Sequence, residues 1–169
     1  MGPIRGVLAW QSVTDALVVA GADRDGRGDL AVLDLGGGTG ADAVRLAGLG
    51  HRVVVVDPSP DALAASATRA AEAKVTVQGI LGDATDLAEH VDLASFDLVI
   101  CHGVLEYVAD PAQALESARS VLRQGGWLSI TVASRVAAVA ARVAAGDIAG
   151  ARALVNAVPD ASWDSASLG

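Results

Sequence analysis

The chain has 169 residues, a net charge of −8 and 52% hydrophobic residues, which suits one domain with a core of small aliphatic side chains. The negative charge disfavours loose, sequence-independent binding to nucleic acid, because such binding needs clustered Lys and Arg. The single cysteine, Cys101, excludes an internal disulfide and favours a reduced, cytoplasmic setting. The sequence shows neither a secretory signal nor an apolar run of membrane-spanning length, so we expect no membrane association.

Strand-like and helix-like segments alternate along the chain. A helix is predicted over 5–20, ahead of a polar loop. Short apolar or β-branched runs then predict five strands, and segments with helical spacing follow the first, second and fourth of them. The predicted strands are 30–35, 52–57, 74–80, 96–103 and 125–133. The predicted helices between them are 40–50, 59–73 and 111–123.

Local signals mark several element ends. Ser59 is a predicted N-cap, with Pro60 at the first helical position. Gly50 is a predicted C′ residue. The alanine-rich stretch 132–149 predicts an amphipathic helix, and Trp127 is predicted to be a core residue.

The alternation predicts an α/β fold, a Rossmann-like doubly wound parallel sheet with helices on both faces. We expect a single domain over 1–169. Its core sheet would lie in 30–133, further helices in 134–157, and a frayed tail in 158–169.

Glycines follow the first predicted strand in the stretch VLDLGGGTG, residues 32–40. Open α/β sheets bind ligands at this end of their strands, so the glycines predict close approach of a ligand; a tight strand-to-helix turn is the alternative. Gly36, Gly38 and Ala41 also fit the dinucleotide fingerprint. A carboxylate at Asp34 would repel a pyrophosphate and attract an ammonium group. Asp34 therefore favours S-adenosyl-L-methionine, which carries ammonium and sulfonium charges, over NAD.

Two further acids follow the second and third predicted strands. Asp57 can accept hydrogen bonds from both ribose hydroxyls of a nucleoside, and a solvated turn residue is the alternative. Asp83 could accept from an adenine amino group while the Ala84 N–H donates to the ring. Alternatively, Asp83 or Thr85 caps a helix.

Together, the motifs VLDLGGGTG, VVVVDPSP, GDATDL, FDLVICHGVLEYV and LRQGGWLSI resemble those of class I S-adenosylmethionine-dependent methyltransferases in order and spacing. The sequence is most similar to the tRNA 5-carboxymethoxyuridine carboxyl methyltransferases, through the further motifs IRGVLAWQSV, LGHRVVVVD, HGVLEYVADP and AAGDI. The likeness runs over almost the whole chain. It implies a single S-adenosylmethionine-binding methyltransferase domain.

The resemblance also implies roles for individual residues. Arg5 would contact the carboxylate of the methyl donor, and Gly36 and Gly37 would be the paired glycines beside it. His102 would orient donor or acceptor, or serve as the base if the acceptor were a hydroxyl or amine. No metal site is predicted. The full predicted cofactor-binding set is Arg5, Asp34, Gly36, Gly37, Gly38, Asp57, Asp83, Ala84 and His102.

Class I methyltransferases usually continue into a sixth strand and an antiparallel seventh. Nothing in 150–169 has the pattern of that hairpin. We therefore expect a sheet without the last two strands, in a truncated or minimal variant. The exposed edge of that sheet would be prone to pair with strands of other chains, and a homodimer could cover it.

Three functions remain open. The first is methyl transfer to a carboxylate or another small nucleophile, in tRNA wobble uridine or in a small metabolite. A carboxylate is already ionised, so that reaction needs alignment more than a general base. The second is donor binding without catalysis. The third is an NAD-dependent oxidoreductase, which Asp34 and the absence of a second catalytic domain disfavour.

Overall fold

The computed structural model describes residues 3–22 and 29–156, with side chains over 9–21 and 29–156. The tail predicted for 158–169 and the side chain of Arg5 lie outside that description. The chain divides into two compact units, Met1–Val132 and Ala133–Gly169. The single-domain boundary stays a prediction.

The first unit contains a sheet and its helices. In chain order its elements are α1 (Pro3–Ala22), β1 (Ala31–Leu35), α2 (Ala41–Gly48), β2 (Arg52–Asp57), α3 (Pro60–Glu72), β3 (Val77–Leu81), a 3-10 turn (Leu87–Glu89), β4 (Phe96–His102), α4 (Pro111–Val121) and β5 (Leu122–Thr131). The second unit contains α5 (Arg135–Ala144) and α6 (Ile148–Asn156).

The five strands form one parallel sheet in the order β3-β2-β1-β4-β5. The strand order reverses between β1 and β4, where two neighbouring connections leave in opposite directions. Such a switch point opens a crevice at the carboxyl ends of the strands, where ligands bind in this fold. The predicted Rossmann-like α/β fold is thus confirmed, and the part of the chain that the structure describes contributes five strands to its sheet.

Each face of the sheet has its own apolar core. On one face, Leu33 and Leu35 of β1 pack with residues of α4. On the other, Val32 packs with residues of α1 and α2. All five residues of β1 are buried, as expected for a central parallel strand covered on both faces. The Arg45 guanidinium lies 3.5 Å from the centre of the Trp10 ring and joins α2 to α1.

Several local predictions are confirmed. The Ser59 hydroxyl caps α3, and Pro60 is the first residue of that helix. Gly50 follows α2 with a φ of +93°. The N–H groups of Gly50 and His51 bond back to the last turn of α2, which is the Schellman motif that a C′ glycine permits.

Two predicted strand boundaries are wrong. The third strand begins at Val77 rather than at 74, because Lys74 has a φ of +56° and ends the preceding helix in a left-handed turn. The fifth strand begins at Leu122 rather than at 125. Its pairing with β4 shifts register between Phe96 and Leu98, so Gly125, with a φ of +75°, is part of an irregularity within the strand rather than its start.

Two further predictions fail for tertiary or backbone reasons. Trp127 is 42% exposed rather than a core residue, because β5 is an edge strand of the described sheet. The stretch 132–149 does not form one helix. Gly146, with a φ of +78°, separates α5 from α6, and an ion pair between Arg142 and Asp147 spans the turn at 2.6 Å.

Candidate functional site

Asp57, the last residue of β2, is 7% exposed and is held by backbone donors. The Gly38 N–H donates to Oδ2 at 2.9 Å and the Ser59 N–H donates to Oδ1 at 2.8 Å. A carboxylate offers roughly four lone-pair sites, so each oxygen can accept one more hydrogen bond. The side chain is therefore fixed in one orientation with capacity left for a vicinal diol.

Two glycines of the β1–α2 turn are required by close contacts. A Cβ at Gly36, where φ is +64°, would lie 2.5 Å from Cγ2 of Val104. A Cβ at Gly37 would lie 2.5 Å from Oδ2 of Asp34. Both distances are far below van der Waals contact. Contacts within the chain therefore explain why both positions are glycine, whether or not a ligand also approaches the turn.

Asp34 lies within β1 and is 5% exposed. Burial raises its pKa from 3.8 to about 7, with smaller contributions from the negative charges of Asp42 and Asp57. The carboxyl group is thus poised near neutrality, where a bound cation would favour its ionised form. An ammonium or sulfonium ligand would supply such a charge, whereas a phosphate would not.

Asp83 projects from the loop after β3, which a hydrogen bond from the Gly82 N–H to the Asp57 carbonyl ties to β2 at 3.3 Å. Oδ1 of Asp83 accepts from the N–H and the hydroxyl of Thr85 at 3.0 and 2.8 Å. The hydrogen bond from the Thr85 N–H lowers the pKa of Asp83 most, and the bond from the Thr85 hydroxyl lowers it further. Asp83 is exposed, while Ala84 beside it is 5% exposed.

A pocket of about 410 Å³ opens at the carboxyl ends of β1 and β2, within the size range of small-ligand sites. Four of the predicted residues line it: Gly36, Asp57, Asp83 and Ala84. The loop after β4 supplies a further wall whose residues were not in the predicted cofactor-binding set: Gly103, Val104, Tyr107, Val108 and Ala109. The motif HGVLEYVADP was the available signal for that wall. Asp34, Gly37, Gly38 and His102 do not line the pocket.

His102 ends β4, directly before the pocket residues Gly103 and Val104. Its Nε2 lies 2.9 Å from the Ser129 hydroxyl, and its Nδ1 is buried without a hydrogen-bond partner. Burial lowers the pKa of His102, and the negative charge of Asp42 partly opposes this. The lowered pKa favours the neutral imidazole.

The pocket and its neighbours fit an adenosyl sulfonium ligand. The apolar side chains of Val56, Val104 and Val108 form walls for a flat base, and Asp57 has free acceptor sites for a ribose. Asp34 lies on the neighbouring strand with a carboxyl group that a cation would ionise.

Within residues 3–22 and 29–156, no group of three or more His, Cys, Asp or Glu side chains could hold a metal ion. No helix in the same ranges is long and apolar enough to cross a membrane.

Comparison with known proteins identifies a protein family whose model this sequence matches. The model of the family described as methyltransferase domain matches residues 33–130. The tRNA 5-carboxymethoxyuridine methyltransferase of Escherichia coli strain K12 is 39% identical over 132 residues, which cover 76% of this chain and 48% of that protein. The ubiquinone biosynthesis O-methyltransferase of Paraburkholderia phymatum is 35% identical over 104 residues, covering 62% and 44%. The chain thus spans less than half of the length of each relative.

A solved structure supports the fold independently. The crystal structure of a SAM-dependent methyltransferase from Aquifex aeolicus superposes with a TM-score of 0.57 at 15% identity, covering 63% of this chain and 57% of that one. At this identity the likeness shows the fold alone. The resemblance predicted from the sequence motifs is confirmed by the family match and by the Escherichia coli relative, and the family match supports S-adenosylmethionine as the cofactor.

Proposed function

We propose that this chain, which belongs to the methyltransferase domain family, binds S-adenosylmethionine in the pocket beside Asp57 and transfers its methyl group to a carboxylate. The observation that carries the proposal is that Gly36, Asp57, Asp83 and Ala84, predicted separately from three motifs, line one pocket. In this proposal the wall formed by the loop after β4 excludes water from one side of the ligand.

Each polar group has a part of the ligand to bind. Asp57, fixed by the Gly38 and Ser59 N–H groups, would accept from the two ribose hydroxyls. Asp83 and the Ala84 N–H would read the polar edge of the adenine. Asp34 would pair with the ammonium group, and Arg5 with the carboxylate of the methionine portion.

S-adenosylmethionine supplies a methyl group on a sulfonium, activated because its leaving group is a neutral thioether. The residues of this chain therefore need to bring donor and acceptor together in line, and positioning of this kind can account for about 7–11 kcal/mol of a barrier. A carboxylate acceptor is ionised at neutral pH and needs no base. If the acceptor were a hydroxyl, neutral His102 would be the group able to accept its proton.

Two acceptor classes follow from the relatives. The 39% identity to the Escherichia coli tRNA enzyme supports the carboxylate of 5-carboxymethoxyuridine in tRNA. The 35% identity to a ubiquinone O-methyltransferase supports an oxygen of a small molecule as the second candidate. The acidic chain, with a net charge of −8, has to bind tRNA through a local surface rather than through its overall charge.

Isothermal titration calorimetry with S-adenosylmethionine, S-adenosylhomocysteine and NAD tests the donor site. We expect micromolar binding of the first two ligands and none of NAD. Asp57→Asn should weaken donor binding roughly 10- to 100-fold, because it removes hydrogen bonds to a charged acceptor. Asp61→Asn is the matched control, since Asp61 is an exposed acid at the start of α3. NAD binding without donor binding would contradict the proposal.

Transfer of a labelled methyl group to acceptors then tests catalysis. The acceptors are 5-carboxymethoxyuridine, tRNA containing it, and a phenolic small molecule. Label in the uridine carboxylate is the expected result, and label only in the phenol would favour the second candidate. Donor binding without transfer to any acceptor would identify a donor-binding domain without catalytic activity.

We also propose a cytoplasmic setting and a homodimer formed along β5. The single cysteine is buried, which suits a reducing compartment. Trp127 and Ile130 of β5 are 42% and 43% exposed, and two apolar side chains on an edge strand favour pairing with a second copy. Sedimentation equilibrium of the wild type and of Trp127→Lys tests this, and a monomeric wild type would exclude the dimer.

A further inference from the structure

The strands β4 and β5 bring two polar side chains together outside the adenosine pocket. Ser129 is 9% exposed, and its hydroxyl lies 2.9 Å from Nε2 of His102. The other ring nitrogen, Nδ1, is buried and has no hydrogen-bond partner. Burying a polar atom without a partner costs about 1–3 kcal/mol, so the orphaned Nδ1 needs an explanation, such as a ligand, an ion or a water that bonds to it.

The hydrogen-bonding capacities of His102 and Ser129 define two possible arrangements of the ring proton. A neutral imidazole has one N–H donor and one acceptor nitrogen, and a serine hydroxyl is both donor and acceptor. If Nε2 donated to Ser129, both the Ser129 proton and the Nδ1 lone pair would lack partners. If Ser129 donates to Nε2, the Nδ1–H is the donor that lacks a partner. Each arrangement leaves one donor unpaired, but only the second places it on Nδ1, where the carboxylate of a ligand can accept from it.

The position of His102 indicates where that donor acts. In the β1–β4 ladder Asp34 pairs with Ile100, so His102, two residues further along β4, lies on the same face and nearer the carboxyl end. The charge of Asp42 influences both Asp34 and His102. Asp34 therefore offers a carboxyl group to a cation on the same face of the sheet where His102 offers its ring nitrogens.

We propose that Ser129 is a positioning residue that donates to Nε2 of His102 and thereby presents Nδ1–H to a carboxylate of the bound ligands. The proposal rests on the proposed methyltransferase function, since both sources of the carboxylate are ligands of that reaction. One source is the methionine portion of the donor, and the other is the methyl acceptor. Ser129 thus contributes to selecting an anionic ligand without touching it.

The tautomer can be measured directly without any ligand. Long-range ¹H–¹⁵N correlation spectra of the wild type should show His102 protonated at Nδ1. Ser129→Ala should abolish this preference, Ser129→Thr should keep it, and Ser95→Ala, a change at an exposed serine, should leave it unaltered. A wild-type spectrum with the proton on Nε2, or an unchanged tautomer in Ser129→Ala, would overturn the proposal.

Ligand titrations followed at the His102 nitrogens then identify the carboxylate. A shift of Nδ1 with S-adenosylhomocysteine but not with 5′-methylthioadenosine, which lacks the amino acid portion, assigns the donor carboxylate. A shift that appears only after 5-carboxymethoxyuridine is added to the S-adenosylhomocysteine complex assigns the acceptor carboxylate. In either case Ser129→Ala should reduce the affinity for that ligand roughly three- to tenfold, because one oriented hydrogen bond is lost. Ser129→Thr should restore the affinity.

The outcomes separate this inference from the proposed function. If calorimetry shows that S-adenosylhomocysteine binds but no ligand shifts Nδ1, the donor site stands and the role of Ser129 is refuted. If the wild type binds neither donor nor product, the proposed function fails, and the carboxylate role of Nδ1–H fails with it. The ligand-free spectra decide the hydrogen bond from Ser129 in both cases.

Discussion

Replacing Asp34 by Asn should make the ligand-free protein more stable than the wild type, by a difference in unfolding free energy that grows as the pH rises. The pKa of Asp34 is raised from 3.8 to about 7 by burial and by its acidic neighbours. Between these two values the native state binds more protons than the unfolded state, so the stability of the wild type falls as pH increases. Each pKa unit corresponds to about 1.4 kcal/mol, which gives a loss on the order of 4 kcal/mol once the pH exceeds 7.

Urea denaturation followed by circular dichroism from pH 5 to pH 8 measures this effect. The stability of Asp34→Asn relative to the wild type should increase across that range by a few kcal/mol and level off above pH 7. Asp61→Asn, which alters an exposed acid, is the control and should track the wild type. If the Asp34→Asn and wild-type profiles run parallel, the carboxyl group is not held protonated by burial and the reasoning is refuted.

Three further predictions follow. The affinity for S-adenosylmethionine should rise between pH 6 and pH 8, because a cationic ligand binds the ionised form of Asp34; a flat calorimetric profile would exclude that pairing. Gly37→Ala should destabilise the fold by about 1–3 kcal/mol, since its Cβ would meet the Asp34 carboxylate, whereas Gly48→Ala, with open space around it, should be neutral or stabilising in thermal denaturation. Asp97→Ala should cost about 3 kcal/mol, because Asp97 is fully buried and pairs with Arg123; equal urea midpoints for variant and wild type would show that the pair contributes nothing.

Local sequence patterns determined most of the secondary structure. The central strands β1 and β2 follow from short apolar runs. The ends of α2 and α3 follow from Gly50, Ser59 and Pro60, whose backbone and hydrogen-bonding preferences act within a few residues. Two of the errors occurred at Lys74 and near Gly146, where left-handed backbone positions ended or divided elements that the hydrophobic pattern alone had extended.

The site was predicted as separate acids and glycines, one after each strand. The strand order places Asp57 and Asp83 at one pocket, because parallel strands bring their carboxyl ends to the same edge of the sheet. The wall supplied by the loop after β4 was not in the predicted site set, since its contribution depends on that loop lining the same pocket as the ends of β1 and β2. That arrangement involves residues distant in the sequence, for which hydrophobic periodicity carries no information.

The sequence by itself determined the fold class, the family and the candidate donor ligand, because each depends on residue types at short spacings. Only the tertiary structure decided the electrostatic state of Asp34 and the partnership of His102 with Ser129, 27 residues away. A pKa depends on the water and charges excluded or admitted by the whole fold, and a cross-strand hydrogen bond depends on register. Neither quantity exists until the strands have paired and the helices have covered them.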